Sequence, residues 1–226
     1  MNNRILIIFS LIIFLAFSNS CGGGGGGGDG GGRRSTQTAL RVFHAGLDAV
    51  PVGVYIGNEF IGETRYLGKS LFKTLKPQDT VLKLTRSDRF NEPVAEFPVS
   101  LALNTEYSLF IYGEVKSGTF RVKLLEEPII RPESGRARVQ FLNALSDSGD
   151  VRFNLTNLDT VSVRFGTSSG FIDIPEGIYD LRAVSSNGQS IILNSITISD
   201  RGETSFLLGG KPEYDFISIK IYEDFD

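Results

Sequence analysis

The chain has 226 residues, with 23 Lys and Arg against 26 Asp and Glu, one His, one Cys and no Trp. Its formal charge is −3 and its basic residues are scattered singly apart from Arg33-Arg34, which excludes the basic patch a nucleic-acid surface needs. One His and one Cys also exclude a zinc site, which takes three or four N or S ligands.

Residues 1–20 read as an export segment. Ile5 to Phe17 is apolar except for Ser10, with Arg4 before it and small polar residues after it. That is the build of a secretory signal, and it is shorter than the about 20 apolar residues that span a bilayer. Ser18-Asn19-Ser20-Cys21 closes the segment and resembles the lipobox of bacterial lipoproteins. There, small residues precede a cysteine that is acylated and becomes the first mature residue. The usual Leu three places before that cysteine is Ser18 here. The plainer alternative is cleavage near Ser20 that leaves a free thiol. Lipid attachment at Cys21 is preferred, because the single cysteine stands where the export segment ends. With Cys21 acylated no thiol remains for a disulfide, so the body stands on its core alone.

Residues 21–38 form the tether. Gly22 to Gly32 is glycine except for Asp29, and such a run has no side chains to bury. From Gly22 to Thr38 its mean reach is on the order of 20–25 Å. Gly22 after the cysteine, in place of Asp, resembles lipoproteins sorted to the outer membrane. The expected address is therefore the outer membrane, facing the periplasm or the outside, with the membrane held through the lipid.

From Ala39 onward the hydrophobic period is two. Val50, Val52, Val54 and Ile56 alternate with Pro51, Gly53 and Tyr55; Val151, Phe153 and Leu155 alternate with Arg152 and Asn154; Ile217, Ile219 and Ile221 alternate with Ser218 and Lys220. Alternation of this kind predicts strands with one buried and one wet face. Gly57-Asn58, Lys76-Pro77-Gln78-Asp79, Pro175-Glu176-Gly177, Ser186-Asn187-Gly188 and Gly209-Gly210-Lys211-Pro212 punctuate them as turns. The pattern predicts an all-β chain without helices.

The body also repeats. A shift of 99 places Leu40 on Val139, Val42 on Phe141, Ala45 on Ala144, Asp48 on Asp147, Tyr66 on Phe165 and Phe72 on Phe171. A shift of 97 then places Leu101 on Ile198 and Ile111 on Leu208. Two units follow, 39–127 and 136–226, each the size of an immunoglobulin-like β-sandwich. Glu126 to Gly135, with Pro128 and Pro132, reads as the joint, and a joint so short favours units that pack together.

Leu40-Arg41-Val42-Phe43-His44-Ala45-Gly46-Leu47-Asp48-Ala49-Val50-Pro51-Val52-Gly53-Val54-Tyr55 resembles the "RVVHASPDAPAVDVYV" opening of the domain-of-unknown-function family 4397. Phe165-Gly166-Thr167-Ser168-Ser169-Gly170-Phe171, then Ile174-Pro175-Glu176-Gly177-Ile178-Tyr179, resembles its "FGTASGY…LPAGTY" segment. The resemblance covers nearly the whole body as two tandem copies. Asn143 stands where the family has His, and Gln78 where it has a turn glycine. The resemblance implies a secreted immunoglobulin-like sandwich, often on lipoproteins, and implies no chemistry and no cofactor.

Few residues of the body carry chemistry. His44 ahead of Asp48 could be a general base oriented by a carboxylate. The alternative is that His44 hydrogen-bonds the loop after the first strand and fixes the turn. Asn143 at the matching position makes similar bonds and is no base, which favours the turn reading. No Gly-x-Ser-x-Gly elbow offers a nucleophile. Asp147-Ser148-Gly149-Asp150 places two carboxylates at a glycine turn, weakly suggestive of calcium, but Asp and Gly also suit any tight turn. Sugar stacking would fall to Tyr55, Tyr66 or Tyr112. Glu223 to Asp226 reads as a solvated tail. These features predict a non-catalytic lipoprotein, without metal or cofactor, whose body meets a protein or polysaccharide partner. Candidate loop contacts are His44, Asp48, Asp147 and Asp150. Strand-edge pairing in an envelope assembly is the second expectation, and an envelope hydrolase the third.

Overall fold

β-branched and aromatic residues at every second position build strands throughout. The computed structural model describes residues 38–224 except 49, 71–72, 88, 128 and 212–215. The export segment, Cys21 and the glycine tether lie outside the described residues, as do Phe72, Pro128 and Pro212. Among the described residues there is no helix. The first half holds β1 (Thr38–Gly46), β2 (Val52–Ile56), β3 (Glu59–Thr64), β4 (Gly68–Lys69), β5 (Lys73–Leu75), β6 (Gln78–Arg86), β7 (Arg89–Leu101), β8 (Glu106–Gly113) and β9 (Arg121–Glu127). The second half holds β10 (Arg136–Leu145), β11 (Asp150–Leu155), β12 (Val161–Arg164), β13 (Thr167–Ser168), β14 (Ile172–Pro175), β15 (Gly177–Ser185), β16 (Ser190–Ile198), β17 (Glu203–Lys211) and β18 (Phe216–Asp224).

Each half closes as an immunoglobulin-like sandwich of two sheets. In the first, β4-β1-β8-β9, with β5 also on β1, faces β3-β2-β6-β7; in the second, β13-β10-β17-β18, with β14 on β10, faces β12-β11-β15-β16. The ladders of the two halves correspond. Leu40 stands opposite Tyr107 and Val139 opposite Thr204, both in parallel pairs. Phe43 faces Lys69 as Leu142 faces Ser168, and Gln78 faces Leu101 as Gly177 faces Ile198. These pairs superpose by the same shifts of 99 and 97.

Each sandwich has its own core. Leu40, Val42, Leu109 and Ile111 meet Val54, Leu82 and Leu84 in the first; Val139, Phe141, Phe206 and Leu208 meet Val151, Phe153 and Leu181 in the second. A third cluster lies on the opposite faces of β1, β8, β10 and β17 and joins Phe43, Ala45 and Phe110 to Leu142, Ala144 and Leu207. The body is thus a stack of four sheets, with these four strands in its middle layers. They are buried on both faces, where alternation predicts one wet face. Phe43, Phe110, Leu142 and Leu207 are each fully buried, and each such side chain contributes about 1.5–3 kcal/mol. Apart, the halves would expose all four.

Two sequence boundaries move. Glu126 and Glu127 belong to β9, so the joint is shorter than expected. Glu223 and Asp224, expected as a solvated tail, pair with Thr204 and Glu203, because β18 continues as long as β17 offers a ladder.

Candidate functional site

The turn after β1 is organised by His44. Its ring is fully buried. Nδ1 accepts the Gly46 amide at 3.1 Å and Nε2 faces the Val50 carbonyl at 3.5 Å. A carbonyl only accepts, so this assigns the proton to Nε2. Burial lowers the imidazole pKa to about 4, against smaller opposing hydrogen bonds. The ring is neutral near pH 7 and its one lone pair is occupied, which is the condition of a structural ligand of the loop rather than of a base. Asp48 does not orient it: its carboxylate accepts the amides of Val115 at 2.6 Å and Lys116 at 2.9 Å, tying this turn to the connection after β8.

Asn143 repeats the arrangement in the second half. Its Oδ1 accepts the Leu145 amide at 3.0 Å, and its Nδ2 donates to the carbonyls of Gly149 at 3.2 Å and Val163 at 2.9 Å. Two different side chains thus hold the backbone two and six residues on. Asp147 is exposed with φ of 57°, and Asp150 is exposed at the start of β11, opposite Arg164. Among the described residues no group of three or more His, Cys, Asp or Glu side chains is placed to hold a metal. A cavity of about 10 Å³ lined by Leu40, Val42, Val54 and Ile61 has room for one water at most.

The polar chemistry lies instead in the seam between the halves. Arg41 donates through Nε to the Ser108 hydroxyl and through Nη2 to Glu127 Oε2, both at 2.7 Å. Gln140, its counterpart, donates to Ser205 at 2.9 Å and to Glu127 Oε1 at 3.1 Å. One carboxylate therefore links equivalent positions of the two halves. Arg138 pairs with Glu203 and stands 4.5 Å over the Phe171 ring. Glu106 borders this group. Burial pushes its carboxyl up to about 7; Glu203 and Glu127 add to the shift, while Arg41 and Arg138 oppose it. Burial likewise raises Glu203 against the pull of Arg138. Elsewhere across the seam Lys211 bridges Glu114 at 3.2 Å, and the Tyr222 hydroxyl donates to the Leu67 carbonyl at 2.6 Å.

Sequence reasoning placed none of these seam residues. Arg41 and Gln140 lie at the polar positions of alternating strands, where a wet face is the default. Tyr112, proposed as a sugar-stacking ring, stacks on Phe110 and meets Phe165 edge-on across the seam. Tyr66 also faces the second half, with its hydroxyl near Gly209. Tyr55 packs on Phe60 under Lys83.

Residues 38–154 match the sequence profile of DUF4397, a domain of unknown function, and the match runs from β1 into β11. No curated protein matches the chain. Among solved structures, the N-terminal domain of AlgF from P. aeruginosa aligns at 19% identity and a TM-score of 0.31, over 41% of this chain and 95% of its own. The tip fimbrial protein Mfa3 from Porphyromonas gingivalis aligns at 12% and 0.31, over 83% and 98%. The family CBM26 module from Eubacterium rectale Amy13K, solved with maltoheptaose, aligns at 12% and 0.24, over 84% and 98%.

Proposed function

The chain belongs to the DUF4397 family, and from that premise we propose that it is a non-catalytic lipoprotein of the cell envelope. Residues 1–20 direct export, Cys21 takes the lipid, the glycine run spaces the body from the outer membrane, and the body meets a protein or polysaccharide partner. We take the second half as a second copy of the domain, an assignment supported by ladders that repeat at the sequence shifts. The observation that carries the reading is the lone cysteine at the end of an export segment and at the start of a glycine run. Partner contact falls to the turns around 44–51 and 147–150, and since His44 is buried its part there is to shape the loop.

Mass spectrometry of the mature N-terminus tests this. The expected result is a chain that begins at Cys21 and carries acyl groups. An unmodified thiol there, or an intact residue 1, overturns the anchor and the address with it. The assembly reading, by strand-edge pairing, is favoured by one observation: among the described residues β16 is an open edge, with no charged residue and no proline.

A further inference from the structure

Edge strands with free backbone groups invite pairing, and proteins blunt them with charge, proline and bulges. The two halves offer a controlled contrast, because β7 and β16 are the same edge: Leu101 faces Gln78 as Ile198 faces Gly177. β7 carries Glu92, Pro93, Glu96 and Pro98. β16 reads Ser-Ile-Ile-Leu-Asn-Ser-Ile-Thr-Ile. The other long edge strands are charged: β3 by Glu59 and Glu63, β9 by Arg121 and Lys123, β18 by Lys220 and Glu223. Beside the bare edge, Ile192 is 56% and Ile178 71% exposed, on the outer face of the sheet.

We propose that β16 is an assembly edge that pairs antiparallel with β16 of a second copy of this chain, about a twofold axis between Asn194 and Ser195. The occupant follows from the strand's own pattern. Ile191, Leu193, Ile196 and Ile198 turn inward or are part-buried, while Ile192, Asn194, Ser195 and Thr197 are exposed. The face changes at Ser195, whose φ is 56° and whose amide is held by the Asp180 carboxylate at 2.8 Å. That irregularity would frustrate a regular foreign strand. A second copy with its own break on the axis meets it arm to arm: Ile191 opposes Ile198, Leu193 opposes Ile196, and Ile192 opposes Thr197, inner against inner and outer against outer. A twofold perpendicular to the sheet keeps faces matched in this way and makes the contact self-complementary. Thr197 is already the ladder neighbour of Ile178, so the same register lines Ile192 of one copy up with Thr197 and Ile178 of the other. Both exposed isoleucines are then covered, and the charges nearest the axis, Asp180 and Arg182, come from the neighbouring strand β15, with the Asp180 carboxylate held on the Ser195 amide.

The test is thiol cross-linking of the full chain produced with its own residues 1–20. In the Ile192→Cys/Thr197→Cys variant a short bifunctional thiol reagent should yield a covalent dimer, since directly opposed residues stand about 4.5–5.5 Å apart. A Glu96→Cys/Ser100→Cys pair on β7, at the exposed ladder positions equivalent to Ile192 and Thr197, should yield at least ten-fold less. Adding Ile192→Lys in an Asn194→Cys background, at an exposed site that leaves the fold intact, should cut the Asn194→Cys dimer at least ten-fold. No dimer from β16, equal yield from β7, or β16 joined only to a foreign protein overturns the proposal. Cross-linking of the unsubstituted chain through Cys21 would instead overturn the lipid reading alone, so the two failures are distinguishable.

Discussion

The two halves share one ladder plan but present opposite surfaces to each other. Leu67 and Gly166 are equivalent, and so are Tyr112 and Gly209. Leu67 and Tyr112 are the projecting side chains of the first half; the second half receives them on glycines. A Cβ on Gly166 would overlap the Tyr112 ring, and one on Gly209 would sit 2.8 Å from Leu67 Cδ2. Leu67 even keeps a φ of 51°, a conformation natural to the φ of 71° at Gly166 but costing a leucine about 1–2 kcal/mol. Its burial in the seam cluster offsets that strain. A first half facing another first half would set Leu67 against Tyr112, and two second halves would leave a void. Unequal side chains at equivalent positions make the pairing of unlike halves specific.

The polar pair tests this contrast hardest. Arg41→Ala should cost about 3–5 kcal/mol in denaturant unfolding, because it leaves Glu127 buried with only a neutral partner. Gln140→Ala at the equivalent site removes neutral donors and should cost about 1–3 kcal/mol. Equal losses would mean that the seam does not distinguish the halves.

Gly166→Ala should come next, at about 2–4 kcal/mol, from positive φ and the clash together. Adding Tyr112→Ala should restore part of it, and additive losses in the double variant would refute the contact. Gly209→Ala meets the end of a flexible side chain and should cost less.

His44→Ala leaves the Gly46 amide and the Val50 carbonyl unpaired and should cost about 1–3 kcal/mol. His44→Asn, which imports the side chain of the other half, should cost under about 1 kcal/mol by the same scale. A larger loss for Asn than for Ala would show that the turns are not interchangeable.

The smallest expected effect is in pH dependence, where two groups oppose. His44 folds with its pKa lowered to about 4, so from about 4 to its ordinary 6.5 the unfolded chain binds more protons and stability rises with pH. Glu106 folds with its pKa raised to about 7, so from about 4.5 to 7 the folded chain binds more protons and stability falls as pH rises. The unsubstituted chain should show a shallow profile over this range. In His44→Asn thermal unfolding should show the fall alone, and a rise there would refute the Glu106 assignment.

Much of the fold was legible because strands announce themselves locally. Val52, Val54 and Ile56 alternate, turns carry their Gly and Asn, and equivalent residues repeat at a constant shift. The His44 turn was half legible: Asn143 in its place argued for a loop ligand, whereas the partners of Asp48 belong to a connection some 67 residues away and leave no local trace. The seam was not legible. Arg41, Ser108 and Gln140 occupy positions that suit a solvated face, and nothing in a single strand tells water from a second sandwich.

By itself the sequence determined an all-β chain, the constant shift at which its residues repeat and the order of its strands along the chain, since each depends on period, turn chemistry or residue identity over short distances. Only the tertiary structure decided that the polar faces of β1 and β10 are interior, that Glu127 joins the halves, and that one edge of two equivalent ones is left bare. Burial is a property of what comes to lie opposite a surface, and for these surfaces the opposing residues stand far away along the chain.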